Sequence, residues 1–540
     1  MGILHKLVLA LHKLDPQNTK WKKRLIESVP PELQMEVEKS LENKSLDYIR
    51  KLGLIEHCIF GVDIQEIAIQ ISKLRFFISL LIEQDVDDSK ENRDIRALPN
   101  LETKFVAANA LIELGESQSF KSQEVINLEE ELFKVRERIF YTNSRFEKHD
   151  LQRKLSDIRN KLNTELAKVG FPNDKAEKIT QWDPFDQNTH ADWFDPEWMF
   201  GVKTGFDIVI GNPPYIQLQK AFDAKRKYAD LYKDQKFKTF DRTGDIYCLF
   251  YEKGINLLYD GGHLAFITSN KWMRARYGEK LRQFFNGYNP KILIDLGPGV
   301  FEHATVDTNI LIIQKSKNRK RLHAVTINEK KKDNIDFSTL LEQNGVLLQN
   351  LTDDAWFIGS DAEQRLKEKI ERIGKPLKDW DVNIYYGIKT GLNEAFIIDD
   401  ARRKEILDNC KDEAERRRTE AIIKPILRGR DIKRYYYEWA GLWVVGTFPA
   451  LKLNIEDYPA LKKYLLDNFD IRQLEQSGKK YPELGFDARK KTGNKWFETQ
   501  DQIAYYSEFE KEKVCLLYTS DAADDLLCVD LGGRRIINKK

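Results

Sequence analysis

Short apolar runs alternate with amphipathic stretches over much of the first 320 residues of the chain. The segment Cys58–Asp63 predicts a strand, Ile67–Ile82 predicts a helix, and Lys104–Ala108 predicts a second strand. Further apolar runs of strand length, with room for a helix between most of them, occupy 206–211, 262–268, 292–296 and 308–313. This alternation predicts the α/β fold class, with a doubly wound sheet.

A charged stretch from about residue 117 to 170 interrupts the alternation. Its apolar residues recur every three or four positions, as in Leu128–Arg136, which predicts a helical hairpin. After about Ser316 the pattern becomes irregular and richer in aromatic and basic residues, and we place a domain boundary near Ser360.

Composition restricts the classes of function. A chain of 540 residues has room for three or four domains of about 150 residues each. Lysine plus arginine (88) nearly balance aspartate plus glutamate (86), which excludes a histone-like protein and confines any nucleic-acid surface to a local patch. No apolar run has the roughly 18 residues of a membrane helix, and the five cysteines form no Cys-x-x-Cys pair. We expect a cytoplasmic protein with no membrane partner, and these cysteines predict no metal site.

A stiff polar turn, Asn212-Pro213-Pro214-Tyr215, follows the strand at 206–211, which we expect to be buried. Sites in open α/β sheets lie beyond the carboxyl ends of strands. The Asn212 side-chain oxygen and the Pro213 carbonyl can accept both hydrogens of an exocyclic amine, while Tyr215 offers a face for stacking. The turn therefore suits a flipped, planar base whose amine is presented to an electrophilic methyl sulfonium. A rigid turn that only ends a strand is the alternative.

From Met1 to about Lys513 the chain resembles the adenine-specific DNA methyltransferases of type II restriction-modification systems. Within them it resembles the gamma-type amino-methyltransferases with a TaqI-like C-terminal specificity domain. The resemblance implies a Rossmann-like class I methyltransferase sheet and a mixed α+β DNA-recognition domain. It implies S-adenosylmethionine as cofactor, double-stranded DNA as substrate and a cognate restriction endonuclease as a further partner. In that family the Asn-Pro-Pro-Tyr turn holds the target amine, which assigns this catalytic role to Asn212, Pro213, Pro214 and Tyr215.

The resemblance assigns three further site residues. Phe301 matches the family's second aromatic, which packs on the flipped base, although ordinary core packing also explains an aromatic at a strand margin. Asp63 matches the acid that binds the cofactor's ribose hydroxyls, and a helix N-cap is the alternative. Asn109 matches the position that contacts the cofactor's adenine, and a turn residue is the alternative. The segments 244–254 and 261–273 resemble motifs that wall these pockets.

Basic and aromatic residues interleave at 424–437 and 489–497, and 387–396 resembles the opening motif of the TaqI-like specificity domain. On DNA such cations neutralise phosphates, while arginine forks and aromatic rings reach the bases. A solvated face is the alternative for each cluster. The predicted DNA-binding residues are Lys389, Arg428, Arg430, Lys433, Arg434, Arg489, Lys490, Lys491 and Lys495.

The chain departs from the family pattern at both ends. The family's glycine-rich first motif has no counterpart, and residues 1–7 resemble the helix after it, so we expect a fragment that begins inside the catalytic domain. Residues 515–540 resemble translated adapter sequence, which we interpret as a non-native tail. The predicted organisation is: 1–115, first part of the methyltransferase domain; 116–172, helical hairpin insertion; 173–320, remainder of that domain; 321–359, connector; 360–514, specificity domain; 515–540, tail.

Three other functions stay open. A bifunctional restriction endonuclease-methyltransferase, with its nuclease part upstream, shares this architecture. Glutamine methyltransferases of translation factors also use an Asn-Pro-Pro-Tyr turn, but they are compact, and the long region after Ser360 counts against them. A catalytically inactive DNA-binding remnant is the non-enzyme alternative, which the missing glycine turn favours.

A cofactor titration tests the expectation about the first strand. That strand is buried on both faces of a doubly wound sheet and carries the turn that touches the cofactor, so we expect Met1–Lys540 to be poorly soluble and to transfer no measurable methyl group. A version extended upstream by roughly 30 residues should bind S-adenosylmethionine. Calorimetry on both lengths decides, because equal and tight binding would mean that the cofactor site is built in another way.

Overall fold

The computed structural model of the protein describes residues 2–539 except 30, 43, 90–92, 94, 96–100, 115–121, 143–144, 170, 187, 221, 224–225, 302–305, 328–334, 350, 434–435 and 517–534. The chain forms two compact units, Met1–Gln364 (unit 1) and Arg365–Lys540 (unit 2). In the described residues, no helix combines the length and the apolar character needed to cross a membrane.

Helices account for much of unit 1. They are α1 (Gly2–Leu14), α2 (Thr19–Glu27), α3 (Pro31–Ser40), α4 (Leu46–His57), α5 (Glu66–Leu81), α6 (Gln123–Tyr141), α7 (Arg145–Lys168), α8 (Asn173–Gln181), α9 (Pro196–Phe200), α10 (Tyr228–Lys233), α11 (Tyr247–Asn256), α12 (Glu279–Asn286) and α13 (Phe337–Asn344), with α14 (Asp361–Ile373) crossing into unit 2. The strands are β1 (Gly61–Asp63), β2 (Phe105–Ala107), β3 (Phe206–Gly211), β4 (Phe222–Asp223), β5 (Arg226–Lys227), β6 (Leu258–Ser269), β7 (Asn289–Gly297), β8 (Thr308–Gln314), β9 (Leu322–Thr326) and β10 (Val346–Leu348).

The main sheet of unit 1 has the strand order β10-β9-β7-β8-β6-β3. Strand β3 runs parallel to β6, and β8 lies antiparallel between β6 and β7. Strands β3, β6 and β7 therefore point the same way, and their carboxyl ends share one edge of the sheet. A separate parallel pair joins β1 to β2. Together with the flanking helices, this sheet confirms the α/β class.

Glycine permits the close approach of β3 to its neighbour. Gly205, directly before β3, has a φ of +93°, and a Cβ there would lie 2.7 Å from the backbone nitrogen of Tyr259. Only glycine adopts this conformation without strain and without a steric clash. The start of β3 is thereby held against the start of β6.

The expectation that β3 is buried is wrong in this structure. Ile208 and Ile210 are 62% and 56% exposed. In the strand order of the described residues β3 is the end strand, so apolar side chains that would be covered inside a sheet lie open here. Phe60, just before β1, packs edge-on against Phe206 at 5.7 Å between ring centroids, so β1 and β3 begin side by side.

Buried polar groups tie β8 to β6 beneath the carboxyl edge. Asn309 is fully buried, and its Oδ1 accepts hydrogen bonds from Thr268 Oγ1 at 3.2 Å and from Trp272 Nε1 at 3.1 Å. The Tyr251 hydroxyl shares a hydrogen bond of 3.0 Å with Thr268. Each bond satisfies a group whose burial would otherwise be costly, so this core specifies one register.

The helices α6 and α7 fill the stretch predicted as a hairpin. Their apolar faces form a core with Trp193 and Trp198, in which Val125, Leu132 and Leu155 are almost completely buried. The spacing of these residues matches the period of 3.6 residues, which explains why the sequence pattern indicated helices.

Unit 2 has its own core around Phe396, Leu461 and Leu465. Its elements are β11 (Val382–Tyr386), α15 (Asn393–Phe396), β12 (Ile397–Asp399), α16 (Asp400–Asp408), α17 (Glu413–Ile422), β13 (Ile423–Pro425), β14 (Ile432–Lys433), β15 (Tyr436–Tyr437), β16 (Leu442–Val445), α18 (Pro459–Asn468), α19 (Ile471–Leu474), β17 (Lys480–Tyr481), β18 (Phe486–Asp487), β19 (Lys513–Leu516) and β20 (Arg535–Lys539). Two small sheets have the orders β12-β16-β13 and β11-β20-β19, and hairpins join β14 to β15 and β17 to β18.

Candidate active site and nucleic-acid surface

The Asn-Pro-Pro-Tyr turn lies at the carboxyl edge of the main sheet, immediately after β3. Asn212 is exposed and Pro213 is buried, so the proline anchors the turn while the asparagine side chain stays accessible. The segment that follows is held by backbone hydrogen bonds, Ile246 N to Ile216 O and Leu218 N to Gly244 O, both 2.9 Å. The turn therefore belongs to a fixed part of unit 1.

The Tyr215 hydroxyl is hydrogen-bonded to the amide oxygen of Asn212. It donates to Asn212 Oδ1 at 3.0 Å and lies 3.4 Å from the carbonyl oxygen of Ile267. Burial raises the pKa of Tyr215 to about 12, so the hydroxyl remains a donor at neutral pH. The second lone pair of Asn212 Oδ1 remains for a ligand that donates a hydrogen.

A chain of polar groups lies behind the Tyr215 ring. The ring meets Tyr247 edge-on, with 6.1 Å between centroids. The Tyr247 hydroxyl shares a hydrogen bond of 2.8 Å with Tyr277, whose hydroxyl also lies 2.9 Å from Asp245 Oδ2, which accepts from it. Burial raises the pKa of Asp245, and the hydrogen bond from Tyr277 opposes this rise.

Two neighbouring strand ends contribute polar side chains to the same edge. Asn270, directly after β6, donates from Nδ2 to Asp295 Oδ1 in β7 at 2.9 Å. The same oxygen accepts from the backbone nitrogen of Gly297 at 3.2 Å. Phe301 follows β7 and is half-buried, while residues 302–305 of the motif matched to the family lie outside the described residues.

Asp63 ends β1 and is exposed. Its Oδ1 accepts from the backbone nitrogen of Gln65 at 2.9 Å, while α5 begins at Glu66 with Gln65 at the N-cap position. Asp63 thus shapes the turn into the helix but does not occupy the cap itself. The outward carboxylate has acceptor capacity left, which fits a ligand with vicinal hydroxyls.

Asn109 lies deeper than a surface turn residue, at 8% exposure. Its Oδ1 accepts from Leu111 N at 3.1 Å, and its Nδ2 donates to the Tyr232 hydroxyl at 3.3 Å. Each end of the amide thus makes one hydrogen bond within the protein, and each keeps one further donor or acceptor position.

In unit 2 the structure brings together two lysines that are far apart in sequence. Burial raises the pKa of Asp501, and the charges of Lys389 and Lys490 oppose this rise. The backbone nitrogen of Asp501 donates to the Lys389 carbonyl at 3.3 Å. Lys491 and Lys495 are exposed nearby in sequence. These four lysines remain predicted DNA contacts.

Arg489, a predicted DNA contact, lies inside unit 2 in this structure. Arg489 is 4% exposed, and its guanidinium donates to the carbonyl oxygens of Leu474, Thr390, Trp496 and Glu498. Burial lowers its pKa to about 10. A forked guanidinium can satisfy several carbonyls at once, so Arg489 ties separate loops together instead of facing solvent.

The basic run at 424–437 likewise contains both exposed cations and an arginine that is held within the protein. Arg428 is held by Asp431, whose Oδ1 accepts from Nη2 at 2.9 Å and whose Oδ2 accepts from Nε at 3.0 Å. This bidentate bond lowers the pKa of Asp431 and occupies the fork that would otherwise read a base. Arg430 and Lys433 are exposed, and Arg434 lies outside the described residues.

Sequence reasoning missed Tyr277 and Asp295 as parts of the site. Tyr277 is 30 positions from Tyr247, and nothing in the local pattern marks it as a partner. Asp295 lies in the run at 292–296, whose other residues are apolar. An aspartate in an otherwise apolar run is a signal in itself, because burial of such a group demands a partner.

Residues 57–301 match the Eco57I restriction-modification methylase family. The chain is a relative of the type II restriction-modification methyltransferases. It is 26% identical over 320 residues to the type II methyltransferase M.BstVI of Geobacillus stearothermophilus. The aligned region covers 55% of this chain and 52% of that protein. The corresponding values for M.PaeR7I of Pseudomonas aeruginosa are 25% over 317 residues, 55% and 50%. The chain thus spans about half the length of these curated relatives.

A bifunctional protein is also among the relatives. The type II restriction enzyme and methyltransferase RM.Eco57I of Escherichia coli is 28% identical over 228 residues, or 41% of this chain and 21% of that protein. Among solved structures, the type IIL restriction-modification enzyme MmeI in complex with DNA overlaps with a TM-score of 0.36 at 13% identity, covering 86% of this chain and 54% of that chain.

Replacing Arg489 by leucine should destabilise unit 2, since it leaves four buried carbonyls without their donor. We expect a loss of about 3 kcal/mol or more in the free energy of unfolding. Lys490→Leu, one residue away but exposed, is the matched control and should change stability by no more than about 0.5 kcal/mol. Chemical denaturation of both variants provides the measurement, and equal stabilities would contradict the structural role of Arg489.

Proposed function

We propose that the protein transfers the methyl group of S-adenosylmethionine to the exocyclic amino group of adenine in double-stranded DNA, as part of a restriction-modification system. The observation that carries this proposal is the exposed Asn212 amide at the carboxyl edge of the sheet, with the Tyr215 ring beside it. The match of residues 57–301 to a restriction-modification methylase family supports the same reaction class.

The first step is the formation of hydrogen bonds at Asn212 and Pro213. The target amine donates one hydrogen to the remaining lone pair of Asn212 Oδ1 and the other to the Pro213 carbonyl. With both hydrogens held, the nitrogen lone pair is drawn out of conjugation with the ring and becomes the nucleophile. The Tyr215 ring stacks on the flipped base and keeps it from returning to the duplex.

The cofactor pocket lies at the ends of β1 and β2 in this proposal. The outward carboxylate of Asp63 binds the ribose hydroxyls, and Asn109 lies at the end of β2 to contact the adenine ring. When bound, the cofactor supplies an electrophilic methyl group. The residues present fit this role because Asp63 keeps a free acceptor oxygen after its bond to Gln65.

Unit 2 supplies DNA binding. The exposed cations Lys389, Lys490, Lys491 and Lys495, with Arg430 and Lys433, neutralise phosphates and position the duplex. Arg428 and Arg489 support the loops that carry them. The proposed contact surface is therefore smaller than the basic runs in the sequence indicate.

A second candidate is a bifunctional restriction endonuclease-methyltransferase, favoured by the similarity to RM.Eco57I. Both candidates share the methyl-transfer step. Sequencing of the coding region upstream of Met1 separates them, because an acidic nuclease cluster there would select the bifunctional enzyme.

Replacing Asn212 by alanine should abolish methyl transfer, because the target amine loses its side-chain acceptor; Tyr215→Ala should do the same by removing the stacking face. DNA from cells without adenine methylation serves as substrate, with labelled S-adenosylmethionine. Asn188→Ala, an exposed asparagine elsewhere in unit 1, is the control.

The transfer assay should use Met1–Lys540 and the chain extended upstream. We expect at least one of the two lengths to methylate adenine at one specific sequence. We expect no methylation by the Asn212→Ala and Tyr215→Ala variants. The proposal fails if neither length methylates adenine, or if Asn212→Ala transfers at the unsubstituted rate.

The affinity for duplex DNA should fall steeply with salt, because the lysines release counterions from phosphates. Lys490→Gln should lower the slope of log affinity against log salt by about 0.9, the value for one phosphate contact. Lys462→Gln, at a surface lysine paired with Glu456, is the control and should leave the slope unchanged. Anisotropy titrations at several salt concentrations measure both, and absence of binding at low salt would argue against a recognition role for unit 2.

A further inference from the structure

We infer that Tyr277 and Asp245 are positioning residues for the methyl-transfer reaction, acting on Tyr215 through Tyr247. The inference rests on the proposed function and adds to it two residues that do not touch the substrate. It starts from one observation: the ring proposed to stack on the base is braced by a second tyrosine, whose hydroxyl is held in turn.

The contact between Tyr215 and Tyr247 is edge-to-face, at an interplanar angle of 90° and 6.1 Å between centroids. This is a favoured geometry for aromatic pairs and fixes the plane of one ring relative to the other. Tyr247 is fully buried at the start of α11. The orientation of Tyr215 therefore depends on how firmly Tyr247 is held.

Tyr247 is held at its hydroxyl by Tyr277, at 2.8 Å, and Tyr277 is held by Asp245, at 2.9 Å. Tyr277 donates its proton to the carboxylate, so its oxygen accepts the proton of Tyr247. Each hydroxyl in the chain thus has a defined donor direction. Removal of the middle hydroxyl breaks both bonds at once.

The turn that carries Tyr277 is itself rigid. A Cβ on Gly278 would lie 2.0 Å from the carbonyl oxygen of Trp272, so only glycine permits this approach. Arg282 donates to the same carbonyl and to that of Ala275. The Tyr277 hydroxyl is therefore presented from a stiff support.

A backbone connection runs parallel to the side-chain route. Gln217 and Asp245 form an antiparallel bridge, and Ile246 N donates to Ile216 O at 2.9 Å. The segment that bears Asp245 and Tyr247 is thus hydrogen-bonded to the residues directly after Tyr215. The backbone hydrogen bonds already hold the two segments together. The hydrogen-bonded tyrosines therefore act only on the orientation of the Tyr215 ring.

The decisive variant is Tyr277→Phe, which keeps the ring and removes the hydroxyl. Its control is Tyr251→Phe, because Tyr251 is a buried tyrosine of α11 whose hydroxyl bonds to Thr268 and not to Tyr277. Both variants lose a hydrogen-bonded hydroxyl, but only the first interrupts the chain to Tyr215. Asp245→Asn, which keeps a carbonyl acceptor for Tyr277, is the conservative variant, with Asp245→Ala as its counterpart.

The first readout is independent of activity and of DNA. With 3-fluorotyrosine at position 215, the fluorine resonance reports the ring environment. We expect it to be displaced or broadened by Tyr277→Phe and Asp245→Ala, but retained in Tyr251→Phe and Asp245→Asn. A resonance unchanged by Tyr277→Phe would overturn the inference.

The second readout is steady-state methyl transfer, with the length of chain that transfers and with DNA from cells lacking adenine methylation. Tyr277→Phe should lower kcat about tenfold, because the ring of Tyr215 loses its fixed orientation, and should leave KM for DNA within about twofold, because unit 2 binds the duplex. Asp245→Asn should recover most of the rate lost in Asp245→Ala. The inference would be overturned, with the proposed function unaffected, if Tyr277→Phe and Tyr251→Phe had equal kcat values. The same holds if Tyr277→Phe raised KM and left kcat unchanged. Absence of transfer by the unsubstituted chain at both lengths would overturn the proposed function and the inference together.

Discussion

The position of β8 between β6 and β7 determines where every candidate side chain of the main sheet lies. An antiparallel strand between two parallel ones lets them point the same way without pairing directly. Their carboxyl ends then meet at one edge, next to the end of β3. Ser269 at the end of β6 and Gly297 at the end of β7 are both in register with Thr308 at the start of β8, so the turns after β6 and β7 start from one level.

This arrangement depends on buried polar groups as much as on apolar packing. Asn309 links β8 to both Thr268 and Trp272 by means of one oxygen atom. A shift of β8 by one residue would point Asn309 to the opposite face and leave these donors unsatisfied. The hydrogen bonds thus select one register from those that hydrophobic burial alone would allow.

Much of unit 1 was readable from the sequence because its strands are apolar and its helices amphipathic. The run predicted at 206–211 is the observed β3, and the predicted turn begins at the next residue. The helix predicted at Ile67–Ile82 is observed one residue earlier at each end, as Glu66–Leu81. Local patterns suffice where one short segment determines its own conformation.

The structure departs from the sequence-based expectations where contacts between distant segments determine the conformation. A lysine-rich run gives no sign that Arg489 turns inward, because its partners Thr390 and Leu474 lie in other loops. The exposure of Ile208 depends on strand order, which a single apolar run does not encode. The tyrosine chain behind Tyr215 joins residues 30 and 32 positions apart in sequence, and only the folded chain brings them together.

The bond between Tyr215 and Asn212 has a consequence for discrimination among bases. The Asn212 oxygen accepts from the Tyr215 hydroxyl in the free protein and has one lone pair left, which only a base with a donor can use. Thymine presents a carbonyl at the equivalent position and would set oxygen against oxygen, whereas adenine brings an amine. In the proposed reaction, a base that offers no donor to this oxygen is rejected before any chemistry begins.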